Sequence, residues 1–533
     1  MKAYNAKDIR NIAIAGHGGR GKTTLAEAML YTAKATDRLG RVADGTTVLD
    51  FDAEEKKRKA TVSTAVAAIE WNGAKINIID TPGLFDFAGG MSEGIRAADS
   101  VLIVTAAGSG FDVGAEKALK AANARGISRM FAITRCDADN TDFYKTFAAI
   151  KDAVGGAICP VIVPYMDGGK VAAYVNLASR KAFDYSSGEK KEVALPSDPQ
   201  LDEMLDILTE AVASSDDELM EKFFAGETFT REEIIKALNS GVSDGSVIPV
   251  YACAGYTCEA IDMLLDEIVY SAPSAADKAG ENGLACDENG PLAAICFKTI
   301  ADPFVGKMSF FKVVSGKITS DTPAYNSRTE ESERMGKIIT LKGSKQEDAS
   351  CIPAGDIGVV TKLAGIKTGD TVCSAKNPIT LEGIKFPTPC LSMAVKVRKK
   401  GDEEKVAASL LRLLEEDPTI SFVINKETRE QILSGLGEQH LDVIVSKLKN
   451  KFGVEVDPSA RRSRFRADTR SSPADTVSSA MCSSVSSPAR ATISFSPRKL
   501  SAAPCRRTSS PQLKRVCATA SRRAYLPATR WSA

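Results

Sequence analysis

Apolar positions in the first third of the chain fall into short unbroken runs, NIAIAG (11–16), KINIID (75–80), SVLIVTA (100–106) and MFAIT (130–134), which read as strands buried on both faces. Between them the pattern turns helical, over 23–35 and 113–125 for example. Strands alternating with helices imply a parallel sheet covered on both sides, a doubly wound α/β domain. Between about 288 and 384 the runs become short and β-rich (AAICFKTI, MSFFKVVSGKI, GKIITLKG, IGVVTKLAG, DTVCS) and are punctuated by Gly, Pro and Asn, so a small β-barrel is expected. From 385 to 458 the order is strand (SMAVKVR), helix (402–416, stopped by Pro418), strand (ISFVIN), strand (TREQILSG), helix (438–449), strand (FGVEV). That order is the split βαβ, or ferredoxin-like, plan.

A length of 533 residues agrees with three or four domains, and 44% hydrophobic with 26% charged residues is an ordinary globular balance that excludes collagenous and wholly disordered chains. No stretch approaches the roughly 18 apolar residues of a membrane span, and the N-terminus (MKAYNAKDIRN) lacks the apolar core of a secretory signal, so a cytoplasmic protein is expected. Twelve cysteines without a C-x-x-C pair, and two histidines, indicate neither a zinc site nor a disulfide framework. The net charge of +1 conceals a division: residues 461–533 hold thirteen Arg and two Lys against Asp468 and Asp475, a net of +13, so the preceding 460 residues carry −12. That tail contains none of the forty glycines, and periodicity ends near Pro458. No secondary structure is expected in the basic Ser/Arg/Ala-rich tail, 459–533.

Candidate chemistry begins at Gly16-His17-Gly18-Gly19-Arg20-Gly21-Lys22-Thr23, a full G-x-x-x-x-G-K-T loop directly after an apolar strand and before a helix. Glycines let successive N–H groups curl around phosphate oxygens, Lys22 neutralises β/γ charge, and the Thr23 hydroxyl holds Mg²⁺. Asp80-Thr81-Pro82-Gly83 ends the next clear strand, where a carboxylate would face the magnesium shell and a glycine N–H would reach a γ-phosphate; the same tetrapeptide is also an ordinary turn. Thr134-Arg135-Cys136-Asp137 closes MFAIT, and its Asp offers a bidentate pairing to N1–H and N2–H of guanine, or is a solvated loop residue.

In this order, these elements resemble translational GTPases, most closely the elongation factor G family, from about residue 9 to 457. The resemblance includes DTPGLFDF (80–87), FKTIADPFVGKMSFFKVVSGKI (297–318) and Gly435-Leu436-Gly437-Glu438-Gln439-His440-Leu441. It implies a P-loop GTPase domain over 1–275 with an inserted subdomain at about 157–245, a barrel over 288–384 and a split βαβ domain over 385–458. It also implies GTP/GDP and Mg²⁺ as ligands and a monomer that works on the ribosome. Carried over by residue, Lys22 and the backbone of residues 18–24, including Thr24, hold the phosphates, and Thr61 is the first-switch threonine that closes on Mg²⁺ and γ-phosphate. The charge run 54–59 before it otherwise reads as a solvated, mobile loop. Ala254 and Gly255 fall where a backbone pair contacts the guanine oxygen. The catalytic set is then Lys22, Thr61 and Gly83, and the metal set Thr23, Thr61 and Asp80.

Several positions depart from the family pattern. Gly19 replaces an Asp, and Thr134-Arg135 replace Asn-Lys; Thr still hydrogen-bonds and Arg keeps the aliphatic stem, so guanine binding is expected to persist. Leu84 stands where the family has the histidine that orients the attacking water, and leucine has no polar atom for that task. His17 is expected to shape the loop and His440 to be structural. Two further family domains are expected after F-G-V-E-V-D, and the tail in their place reads as a shifted frame, a genuine RNA-binding basic tail, or a cryptic domain. The expected function is that of an elongation factor resembling elongation factor G, coupling GTP hydrolysis to ribosomal translocation or recycling. A ribosome-protection or rescue GTPase, a hydrolysis-impaired GTP-dependent binder and an RNA-binding protein acting through the tail stand as alternatives.

Overall fold

Residues such as Ile12, Ile14, Ile78, Leu102 and Ile133 have no exposed surface at all, which a strand can satisfy only inside a sheet covered on both faces. The computed structural model describes residues 4–277, 283–302, 305–399, 401–425 and 430–460; the tail from 461 onwards lies outside the described residues. β1 (Ile9–Gly16) runs through the glycine-rich loop into α1 (Lys22–Thr32), followed by α2 (Ala53–Arg58), β2 (Ala65–Trp71) and β3 (Ala74–Asp80). Next come α3 (Ala88–Ala97), β4 (Ser100–Ala106), α4 (Val113–Arg125), β5 (Ser128–Thr134), α5 (Phe143–Val154) and β6 (Ile158–Asp167). An excursion through β7 (Lys170–Asn176), β8 (Lys181–Asp184), β9 (Lys191–Val193), α6 (Pro199–Ala213), α7 (Asp217–Ala225) and α8 (Arg231–Asp244) returns to β10 (Ile248–Ala252) and α9 (Ile261–Ser271).

In the sheet, β3, β1, β4, β5, β10 and β6 are parallel neighbours in that order. The strand β2 departs from the all-parallel expectation: it pairs antiparallel with β3 through a tight turn at Asn72 (φ 45°) and Gly73 (φ 82°). That Asn-Gly hairpin signal lay unread because AVAAIEW is alanine-rich and weakly periodic. Because the strands are parallel, the ends of β1, β3, β5 and β10 share one edge of the sheet, where ligands of open α/β sheets bind.

The second domain is antiparallel throughout: β11 (Ala293–Asp302), β12 (Gly306–Ser315), β13 (Lys317–Thr319), β14 (Pro323–Asn326), β15 (Glu331–Arg334), β16 (Ile338–Lys342), β17 (Lys345–Asp348), β18 (Cys351–Pro353), β19 (Ile357–Thr361) and β20 (Thr371–Cys373). They curl around Cys296, Phe311, Val313, Ile352 and Val360. The third comprises β21 (Leu391–Val397), α10 (Glu403–Glu416), β22 (Ser421–Ile424), β23 (Gln431–Gly435), α11 (Glu438–Phe452) and β24 (Val456–Ala460), with strand order β22-β23-β21-β24. Val406, Leu410 and Leu413 of α10 and Leu441, Ile444 and Leu448 of α11 form its core with Val395 and Leu433 of the sheet. β24 pairs with β21 as far as Ala460, two residues beyond the point where periodicity in the sequence ends.

Candidate nucleotide site

The loop after β1 turns on positive-φ glycines, and Gly21 (φ 88°) caps α1 in a left-handed conformation that costs a residue with a Cβ about 1–2 kcal/mol. Lys22, 5% exposed, folds back so that Nζ donates to the His17 carbonyl (2.9 Å). Burial lowers the Lys22 ammonium, against the opposing pull of Asp80, Asp112 and Asp50. Thr23 donates to Asp80 Oδ2 (2.7 Å) and lies 2.8 Å from the Thr61 hydroxyl, so the two threonines and the aspartate come together at the start of α1. Gly83 sits so close that a Cβ there would fall 2.7 Å from the Gly18 nitrogen and onto Lys22 Nζ.

This corner has too many buried carboxylates for its cations. Asp80 is fully buried with Oδ1 unpartnered, and its carboxyl is pushed up to about 8 by burial and then by Asp50, against the Thr23 bond and Lys22. Asp50, 2% exposed, has neither oxygen in a hydrogen bond and is also raised by burial. The Thr61 hydroxyl is near enough to oppose that shift but lacks the geometry to satisfy the carboxylate. Orphaned oxygens around two threonine hydroxyls fit a hard divalent cation. The sequence reading missed Asp50, whose run LDFD carries no motif signal of its own.

The charge run 54–59, expected to be a solvated loop, is instead α2, opened by a capping box of Asp52 and Glu55 and with Glu54 and Glu55 each 2% exposed. Both glutamates are buried with donors to serve: Glu55 Oε1 accepts from the N–H of Val62 and Ser63, both at 3.1 Å, and Glu54 accepts from Arg58 Nε (3.2 Å) and the Asn450 side chain (3.3 Å).

Across the loop, a cavity of about 360 Å³ is lined by Gly21, Thr24, Thr134, Arg135, Asp137, Ala138, Gly255 and Tyr256. Thr134 donates to the Arg20 carbonyl (2.8 Å), tying β5 to the phosphate loop, and Arg135 (φ 61°) donates from Nη2 to Gly19 O (2.6 Å). Asp137 accepts from Thr257 (3.2 Å) and stays on the rim, whereas Cys136 is buried with its thiol on the Ile133 carbonyl (3.3 Å). The Ala254 N–H is spent on Glu259 O (3.0 Å), leaving Gly255 at the cavity. Tyr256, missed in sequence, is 59% exposed with the Arg41 guanidinium 4.0 Å above its ring centre.

Other residues of the motifs brace the site. Thr81 donates to Ile14 O (2.7 Å), Pro82 packs beside Gly90, and Arg20 pairs with Asp112 (2.8 Å). Leu84 fills the space over Gly18, where a Cβ would meet Leu84 Cδ2 at 2.9 Å. His17 lies edge-on to Phe85 (5.5 Å). His440, 2% exposed, accepts the Leu436 N–H at Nδ1 (3.1 Å), so Nε2 carries the proton toward Asp417 (2.8 Å).

Comparison with known proteins gives three matches in chain order: residues 7–274 match the Elongation factor Tu GTP binding domain, 291–375 Elongation factor G domain 2, and 386–460 Elongation Factor G, domain III. A crystal structure of a Thermus thermophilus protein is 30% identical with a TM-score of 0.78, covering 86% of this chain and 68% of that one. With a phosphate loop, a buried Thr-Thr-Asp corner and a Thr-Arg-Cys-Asp loop on one sheet edge, followed by these two domains, the chain belongs to the GTP-binding translation elongation factors of the elongation factor G type.

Proposed function

We propose that the protein hydrolyses GTP at this sheet edge with Mg²⁺, that the ribosome drives the reaction as translocation or recycling proceeds, and that Leu84 slows the intrinsic chemical step. The observation that supports it best is the closure of Thr61 onto Thr23, which itself donates to Asp80, beside carboxylate oxygens that lack partners. Lys22 and the N–H groups of 18–24 offer positive charge to the β/γ-phosphates. Thr23 and Thr61 would hold Mg²⁺ with Asp80 and Asp50 around them, and the ion would supply positive charge to neutralise the phosphates. Gly83, where a Cβ would collide with Lys22 and Gly18, would offer its N–H to the γ-phosphate. Asp137, oriented by Thr257, accepts N1–H and N2–H of guanine, while Arg135 and Tyr256 flank the base. The elongation factor family acts as soluble monomers, which we extend to this chain together with a cytoplasmic location.

Leu84 presents only methyl groups where an attacking water needs orientation. Phosphate release should therefore be slow for the protein alone and strongly stimulated by ribosomes. Leu84→His should raise the intrinsic rate by about a hundredfold, the low end of what a positioned proton-transfer group contributes. GTP binding with no turnover above background, ribosomes present, would instead establish the second reading that Leu84 favours: a GTP-dependent ribosome binder.

A further inference from the structure

A cavity of about 540 Å³ lies where the three domains meet, and its walls include Thr64, Glu93 and Lys298. Lys298 belongs to β11 of the barrel and is 3% exposed. A buried ammonium needs hydrogen-bond acceptors, and this one finds them outside its own domain: Nζ donates to Ser63 Oγ and to the Thr64 carbonyl (2.5 Å). Thr64 Oγ1 in turn lies 2.9 Å from both Glu93 Oε2 and the Gly90 carbonyl of α3. Adding the Glu55 bonds to Val62 and Ser63, the segment immediately after Thr61 is held from α2, α3 and the barrel together.

We propose that Lys298, with Glu93, is a positioning residue for GTP hydrolysis: it holds residues 63–64 so that Thr61 reaches the Thr23 hydroxyl, making closure of the first switch depend on the barrel. This rests on the reading of Thr61 given above. A lysine serving only barrel stability would bond within the barrel, whereas both acceptors here lie on the switch. Positioning predicts a loss confined to the nucleotide that Thr61 senses.

The full chain is tested with fluorescent GTPγS and GDP under Mg²⁺. Lys298→Met should weaken GTPγS binding about tenfold while leaving GDP within about twofold, Lys298→Arg should restore most of it, and Lys298→Met combined with Thr61→Ala should be no worse than Thr61→Ala alone. Thr64→Val, which cuts the links to Glu93 and the Gly90 carbonyl and leaves the Lys298 bond to the Thr64 carbonyl, should show the same selectivity at about threefold and serves if Lys298→Met does not fold. Equal weakening of both nucleotides, or additivity with Thr61→Ala, would overturn the proposal while the Thr61 reading stands. A GTPγS-to-GDP ratio unmoved by Thr61→Ala itself would remove the reading beneath it, and the proposal with it.

Discussion

Glu27 of α1 has no exposed surface; Oε1 accepts the N–H groups of Val48 (2.7 Å) and Leu49 (2.9 Å), and Oε2 has no partner. Burial pushes its carboxyl up to about 7 from 4.5, with the two N–H bonds opposing. A carboxyl raised on folding binds more protons in the folded state between those values, so its contribution to stability falls as pH rises from about 4.5 through 7. Glu27→Gln keeps the acceptor and removes the titration. It should stabilise the protein at pH 8 by on the order of 1–3 kcal/mol, fading toward pH 5, in urea unfolding at both values. A gain independent of pH would refute the assignment. Lys298, Glu93 and Glu55 are other buried charges whose meaning lies in the partner they serve, so the test proposed for Lys298 is likewise a test of single side chains.

At the scale of elements, α11 begins at Gly437 without a side-chain cap of its own. Asp86, in the loop after Gly83, supplies it from another domain: Oδ2 accepts the N–H of Gln439 (2.9 Å) and of His440 (3.4 Å). Farther along, Asp442 pairs with Arg58 of α2, and Asn450 donates to Glu54 (3.3 Å). One helix of the third domain thus rests on the loop after Gly83 and on α2, both beside the glycine-rich loop's end of the site. Asp86→Ala should cost about 1 kcal/mol, as removal of an N-cap does, and speed hydrogen exchange of the Gln439 and His440 amides about fivefold. Unchanged exchange would show that the helix is held elsewhere. The Leu84→His experiment belongs at this scale too, because the new side chain must find room against the loop at Gly18.

For the molecule as a whole, the GTP domain and barrel are joined by a buried polar network. Lys75 Nζ meets both oxygens of Asp356 (2.8 and 2.7 Å), Asn77 reaches Asp356 (2.9 Å) and Asn11 (2.8 Å), and Asn11 (2.6 Å) and Lys312 (2.8 Å) converge on Asp99. Removing one partner strands a buried charge, so Asp356→Ala should destabilise by about 3–5 kcal/mol, whereas Lys75→Met with Asp356→Leu should cost far less. Equal losses in urea unfolding for the single and double variants would show that packing, not charge, matters there. This network fixes the barrel against the sheet and so places Lys298 on Ser63 and Thr64.

The sequence by itself determined the local and periodic features: buried strands that can only be sheet, the phosphate loop, the strand-terminal Asp80, and the Thr-Arg-Cys-Asp loop. Each is encoded by neighbours in the chain, where spacing and backbone preference act directly. It also showed that the Leu84 side chain has no polar atom, since that is chemistry of the side chain alone. Only the tertiary structure decided which carboxylates stand without partners, that α2 buries its glutamates, that Tyr256 borders the cavity beside the glycine-rich loop, and that Lys298 and Asp86 act in domains other than their own. Those facts depend on contacts outside any sequence motif, for Lys298 and Asp86 between residues hundreds of positions apart, whose energies come from burial and hydrogen-bond geometry that no local pattern contains.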